Sequence, residues 1–324
     1  MSDSNDWAFP TSLRPRSEEL AFDLDAALAS IVLLRAEIPD DAFTASILGT
    51  ERVGNGIVIG PNGLVLTIGY LITEASAVWL TTNKGTLVAG DPLAYDQPTG
   101  FGLVQPLGRL GVPHLERGSA AACKAGDKVV VAGHGGRAHA LQASVLAKRE
   151  FAGYWEYVLD EAIFTLPAHP QWGGAALIGA DGRLLGVGSL LVEEKMQGET
   201  AQGNMIVPVD LLDPILDNLL RTGSTGRSPR PWLGMYTTEI DNRVVVVGIA
   251  GKGPAARAEL KAGDVILAVN GDKITSQTGF YRKLWSLGTA GVDVPLTVYH
   301  EGVTFDVVLS STDRAKLLKA PRLH

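Results

Sequence analysis

The sequence predicts a mainly β fold divided into two domains, and three observations carry that prediction. From Gly54 onward, short apolar runs (GIVIGPNGLVLTIGYLIT, AVWLTT, TLVAGDPLAYD, GLVQPLG, KVVVAGHGG) are interrupted by Gly, Pro, Asn and Asp. Runs of about four to eight residues at this spacing read as antiparallel strands joined by turns, in a barrel or a sandwich. Helical periodicity is scarce in the same region. Finally, TGSTGRSPRP at residues 222–231 is rich in Gly, Ser and Pro and reads as a linker between a long first block and a shorter second one. A length of 324 residues suits two such domains.

Taken in order, residues 1–35 read as an N-terminal arm and an amphipathic helix. Leu20, Phe22, Leu24, Ala27 and Leu28 recur at helical spacing across residues 17–30 with acidic residues between them. Residues 36–221 form the first β domain. Within it Pro61-Asn62-Gly63 is a hairpin signal, because Asn and Gly tolerate the positive φ of tight turns. A second helix is expected at residues 210–220, with Leu211, Leu212, Ile215, Leu216 and Leu219 on one stripe. After the linker, residues 232–324 form the second domain, with a helix at 278–286 carrying Tyr281, Leu284 and Trp285, then the hairpin VPLTVYHEGVTFDVVL.

Composition excludes several functions. Hydrophobic residues make up 46% and charged residues 19%, a globular balance. A net charge of -7 leaves no basic stripe for nucleic acid. Cys123 is the lone cysteine, expected to be a small buried apolar residue, so neither an internal disulfide nor a cysteine zinc site is expected. His134 and His139 are five apart in a Gly-rich loop with no carboxylate at metal-ligand spacing, and no metal or cofactor is expected. No apolar run approaches the roughly 20 residues of a membrane helix. The polar, acidic N-terminus lacks a basic patch followed by an apolar stretch, so a cytoplasmic location without membrane association is expected.

Two stretches resemble one known family. Residues 169–186, HPQWGGAALIGADGRLLG, are similar to the nucleophile loop of chymotrypsin-like serine proteases of the HtrA/Deg branch, written roughly N-P-G-N-S-G-G-A-L followed by two apolar residues, D-G and L-I-G. Pro170, Gly174, Leu177, Asp181, Gly182 and Gly186 match. The block opening Trp232-Leu233-Gly234-Met235 resembles an HtrA-type PDZ domain. There Pro254, Ala255, Ala256, Gly263, Asp264, Val265, Ile266, Val269, Asn270 and Gly271 match. The resemblance implies a chymotrypsin-like double six-stranded β-barrel followed by a PDZ domain, an α+β, partly open β-barrel with two helices.

It also implies where a catalytic triad should stand. That mechanism needs a hydroxyl nucleophile, an imidazole and a buried carboxylate. The family histidine ends G-S-G-Φ-Φ-Φ-x-x-x-G-Φ-Φ-Φ-T-N-x-H; Gly54, Gly56, Gly63 and Thr67 keep register, and Tyr70 stands at the histidine. A phenol with a reference pKa of about 10 is a poor general base at neutral pH. The aspartate position falls on Gly100, with Asp96 as a displaced alternative, and the serine falls on Gly173. A slip of one residue would put Trp172 there instead. Gln171 replaces the glycine whose backbone N–H serves the oxyanion hole. His134, His169 and Ser189 are the candidates for a surrogate site.

The PDZ resemblance implies peptide binding by strand addition, the terminal carboxylate being held by backbone N–H groups. The loop would be Trp232, Leu233, Gly234 and Met235, and the edge strand would begin at Tyr236. The side-chain pocket would be floored by Leu233 and Met235 and walled by Tyr281 and Leu284. The expectation is therefore a triad-less, HtrA-like protein of protein quality control, binding protein C-termini or extended peptides. It would be homo-oligomeric, a trimer by resemblance, with Trp7 and Phe9 in an arm at residues 6–15 that clasps neighbours. The alternatives are a weakly active endopeptidase with rewired residues, or a structural or regulatory subunit assembled with an active paralogue.

Overall fold

The computed structural model describes residues 7–196 and 198–319. The chain divides into two compact units, the second gathering Glu150–Asp160 with Gly226–Leu318, and the first holding the remainder.

The first unit contains two closed barrels. Strands β1 (Ile31–Glu37), β2 (Glu51–Val58), β3 (Val65–Ile68), β4 (Ala77–Thr81), β5 (Leu87–Tyr95) and β6 (Phe101–Pro106) close in the order β1-β2-β3-β6-β5-β4. Strands β7 (Lys128–Ala132), β8 (Ala140–Gly153), β9 (Tyr157–Leu166), β10 (Ala176–Ile178), β11 (Leu184–Met196) and β12 (Glu199–Pro208) close in the order β10-β11-β12-β9-β8-β7. The apolar runs of the sequence supply the interiors. Ile31, Leu34, Ile57, Leu66 and Leu80 fill the first barrel, and Val131, Leu141, Ile163, Leu177 and Ile206 the second, all withdrawn from solvent. Closure removes the open strand edges that a flat sheet would expose. The Pro61-Asn62-Gly63 turn forms as expected, with Gly63 donating to the Gly60 carbonyl and Asn62 Oδ1 accepting the Leu64 N–H.

Three local expectations are corrected. Residues 17–30 are not one helix: a 3-10 turn at Ser17–Glu19 precedes α1 (Leu24–Ala29), because the Asp23 side chain caps the Ala26 N–H at 3.1 Å and starts the helix there. The barrel consequently begins at Ile31, inside the span assigned to the arm, where the β-branched pair Ile31 and Val32 joins β2. After α2 (Ala45–Leu48), the next helix is α3 (Asp213–Thr222) rather than 210–220, with Pro214 in its first turn and Gly223 closing it.

The N-terminal arm lies on its own barrel. Phe9 is buried among Val129, Val131, Leu141 and Ile163, its N–H donating to the Ala138 carbonyl at 3.0 Å. Trp7 meets the His139 ring edge-on at 4.5 Å. Phe9 is thus buried and Trp7 partly buried against the chain's own second barrel; Asp6 and the residues before it lie outside the described residues. Cys123, expected to be buried, is partly buried against the same cluster.

In the second unit, β13 (Met235–Ile240), β14 (Arg243–Ile249), β15 (Val265–Val269), β17 (Asp293–His300) and β18 (Val303–Ser310) follow one another in the sheet, with β16 (Asp272–Lys273) paired to β15. Two helices, α4 (Pro254–Arg257) and α5 (Gln277–Ser286), complete it. Ser276 caps α5 by accepting the Gly279 N–H, and Phe280, Tyr281 and Leu284 pack on Val244, Val246, Ile266 and Val298. The sequence division at 232 differs from the observed unit, which starts at Gly226 and includes Glu150–Asp160, the end of β8, the turn after it and the start of β9. Residues 320–324 of that expected domain lie outside the described residues.

Candidate active site and peptide groove

The loop between β9 and β10, where the resemblance places the nucleophile turn, carries Gln171, Trp172, Gly173 and Gly174. Gly174 holds φ +76, and a Cβ there would stand 1.9 Å from the Asn55 carbonyl oxygen. Asn55, at the serine of the G-S-G pattern, anchors the turn. Its N–H donates to the Gly173 carbonyl at 2.8 Å, and its side-chain amide donates to the Gln171 and Gly173 carbonyls at 2.9 and 3.1 Å. Its Oδ1 accepts the His134 N–H at 2.7 Å, and its own carbonyl accepts the Thr67 hydroxyl at 2.7 Å. Every polar group of this buried residue is satisfied within the protein.

Tyr70 does reach the former nucleophile position. Its hydroxyl would lie 2.9 Å from a Cβ built on Gly173, and it donates to the Ser189 carbonyl at 2.9 Å. Ser189 is the extra residue in a bulge of β11 against β12, which turns that carbonyl toward the phenol. Burial pushes the Tyr70 phenol above its ordinary range, away from general-base duty. Gly100 lies beside this residue, its carbonyl accepting the Gly69 N–H at 2.6 Å. Asp96 is buried in its own turn, where its carboxylate accepts the Thr99 N–H at 3.0 Å and the Thr99 hydroxyl at 2.7 Å. Beside Tyr70 and Gly173 lies a cavity of about 400 Å³, lined among others by Leu33, Arg52, Asn55, Gln171 and Trp172.

His169 is fully buried and has both ring nitrogens engaged. Nδ1 accepts the Gln171 N–H at 3.1 Å, so Nε2 carries the proton and donates to the His139 carbonyl at 2.9 Å. Burial holds its pKa down to about 4. The same contact turns the Gln171 N–H, the expected oxyanion donor, toward an imidazole. Burial also lowers the pKa of His134 and of His139. Among the described residues, no group of three or more His, Cys, Asp or Glu is placed to hold a metal ion.

Sequence reasoning missed Arg52 and Glu74. The guanidinium donates to the Tyr70 and Thr73 carbonyls at 2.6 and 3.0 Å and to the Thr44 hydroxyl at 2.7 Å. Glu74 accepts the Thr44 hydroxyl at 2.6 Å and the Lys319, Thr44 and Phe43 N–H groups at 2.9, 2.7 and 2.9 Å; burial opposes its ionisation, but these bonds outweigh it and lower its pKa. The pair fixes the backbone on which Tyr70 sits.

In the second unit, the residues expected to line a groove come together around β13, which is one of the sheet's two edge strands. Leu233, Met235, Tyr281 and Leu284 are buried in one cluster, and Trp232 bridges to Thr312. Gly234 has φ +78, and a Cβ there would meet the Trp232 ring at 2.8 Å. This backbone turns the N–H groups of Leu233, Gly234 and Met235 toward one point, where they meet the Glu156 carboxylate. Oε1 accepts all three, at 3.1, 2.8 and 3.2 Å respectively. Glu156 is missed by sequence reasoning. Burial pushes its pKa up to about 7, against the lowering effect of these donors. The Tyr281 hydroxyl, paired with Thr237 Oγ1 at 2.8 Å, is pushed up to about 12, again by burial.

Comparison with known proteins agrees with this architecture. Residues 54–187 match the trypsin-like peptidase domain family, and residues 231–310 match the PDZ domain family. A probable periplasmic serine endoprotease, DegP-like, of Halomonas elongata is 22% identical over 276 residues, covering 81% of this chain and 57% of that protein. Protease Do-like 1, chloroplastic, of Arabidopsis thaliana is 25% identical over 284 residues, covering 78% of this chain and 62% of that protein. The chain thus spans little more than half the length of several curated relatives it matches. The solved HtrA-type protease AlgW with decapeptide aligns with a TM-score of 0.53 at 16% identity, over 93% of this chain and all of that one (100%). The serine endoprotease from Yersinia pestis aligns with a TM-score of 0.52 at 18% identity, over 91% and 99% of the two chains. Among the described residues no helix is long and apolar enough to cross a membrane. The chain thus combines a trypsin-like peptidase domain with a PDZ domain and is similar to DegP-like and Do-like proteases, on a fold shared with solved HtrA-type proteases.

Proposed function

We propose that this chain is a non-catalytic HtrA-family protein that works by binding extended peptides or protein C-termini through its PDZ domain. The observation that carries the reading is the Tyr70 hydroxyl, bonded to the Ser189 carbonyl beside Gly173. No nucleophile stands at Gly173, no imidazole at Tyr70 and no carboxylate at Gly100. The Gln171 N–H is engaged by His169. Acyl transfer needs a hydroxyl or thiol activated by a neighbouring base and an aligned oxyanion donor. Support for binding comes from the three N–H groups of Leu233, Gly234 and Met235, which converge on a carboxylate beside an edge strand.

Homo-oligomeric assembly belongs to the same proposal. So does a cytoplasmic location, in contrast to the periplasmic one that the names of several relatives carry. Binding is tested by titrating the full chain with a pool of heptapeptides ending in apolar residues, each as free acid and as amide. Free acids are expected to bind at least about tenfold more tightly, since a charge-assisted contact is lost on amidation. Equal affinities would remove carboxylate recognition from the account.

A further inference from the structure

The groove of the second unit is occupied. Besides the Glu156 carboxylate on the Leu233, Gly234 and Met235 amides, the carbonyl of Tyr154 accepts the N–H of Thr237 in edge strand β13 at 3.0 Å. The Tyr281 hydroxyl donates to the same carbonyl at 3.2 Å. Val158 is buried in the cluster that holds Leu233, Met235, Tyr281 and Leu284. A carboxylate on the N–H loop, a carbonyl on the edge strand and an aliphatic side chain among the apolar residues are the three contacts by which strand addition holds a peptide.

The turn is built to present that glutamate. Glu156 adopts φ +59, a left-handed conformation that a residue with a Cβ disfavours, and the carboxylate contacts offset that cost. Trp155 stacks on Tyr157 at 5.3 Å, bracing the turn on one side. The Arg282 guanidinium on α5 holds both shoulders, at 2.6 Å from Glu150 and 2.6 Å from Asp160.

We propose that the turn at residues 154–158 is an internal ligand of the PDZ groove, its Glu156 side chain standing in for a terminal carboxylate, so that an outside peptide binds only after this segment leaves. The inference rests on the reading of the groove as a peptide site. Because the segment is tethered, it competes at the high effective concentration of an intramolecular partner, and the affinity of a free peptide falls with the fraction of open groove.

The test is amide hydrogen exchange of Leu233, Gly234, Met235 and Thr237 in the full chain, comparing wild type with Glu156→Ala and the isosteric Glu156→Gln, each checked for folding by circular dichroism. Peptide affinity is measured on the same samples with the free-acid heptapeptide pool. The amides are expected to be protected in the wild type and to exchange at least about tenfold faster in Glu156→Ala, with Glu156→Gln between them. The peptide Kd is expected to fall at least about tenfold in Glu156→Ala. Unchanged protection and unchanged Kd in a folded variant overturn the inference. Faster exchange with no peptide bound by either protein leaves Glu156 as the occupant of the N–H groups and removes the peptide-binding reading.

Discussion

Gly174→Ala is expected to lose most of the stability of the first unit, at least about 4 kcal/mol, putting it among the exceptional single substitutions. Two costs combine. The alanine must keep φ +76, which side chains disfavour, and its Cβ falls 1.9 Å from the Asn55 carbonyl oxygen, a backbone atom in a barrel strand. Asn55 cannot retreat, because its N–H and side-chain amide hold the Gly173 carbonyl and its own carbonyl holds Thr67. Gly111→Ala is the control: φ is +69 there, but nothing lies within 4 Å of the new Cβ, and a loss of about 1 kcal/mol is expected. Urea unfolding of the two variants separates conformational strain from collision. The result bears on the proposed function because it measures how far the turn at Gly174 serves the structure of the barrel.

The second large effect is in the pH dependence of stability. His169 has a folded pKa of about 4 against an ordinary 6.5. Between those values the unfolded chain binds a proton that the folded chain refuses. The histidine's contribution is therefore complete above pH 6.5 and is lost as pH falls toward 4. Over the interval from pH 7 to 4.5 the loss is about 2.5 kcal/mol. His169→Gln keeps a donor and an acceptor but does not titrate, so its stability should fall by correspondingly less over the same interval. Parallel pH profiles for the two proteins would contradict the buried, neutral, fully bonded imidazole and reopen a His169-centred site.

The strands were legible because they depend on residue type at fixed spacing, and the residues at the expected triad positions are read directly from the sequence. An apolar run bounded by Pro61-Asn62-Gly63 can be read as two strands, and a glycine at 173 offers no side chain whatever its surroundings. The long helix at residues 17–30 was misread because periodicity does not show that Asp23 caps a shorter one. Glu156 left no local signal. Its partners lie 77 to 79 residues further along, and Tyr-Trp-Glu-Tyr at a hairpin tip reads as an ordinary exposed turn. The burial of a lone glutamate among aromatics, with backbone amides as its hydrogen-bond donors, becomes visible only when the chain is folded. Asn55 was hidden for the same reason, since five separate polar contacts in three dimensions make it the anchor of the turn.

The central claim, that the double barrel has kept its architecture without its chemistry, is tested most directly by turnover of casein with the purified full chain and its Tyr70→Phe variant. Tyr70 is the residue whose hydroxyl stands nearest the vacated nucleophile position. The account predicts no turnover above that of a mock purification for either protein. Casein cleavage by the wild type that disappears in a folded Tyr70→Phe variant would contradict it.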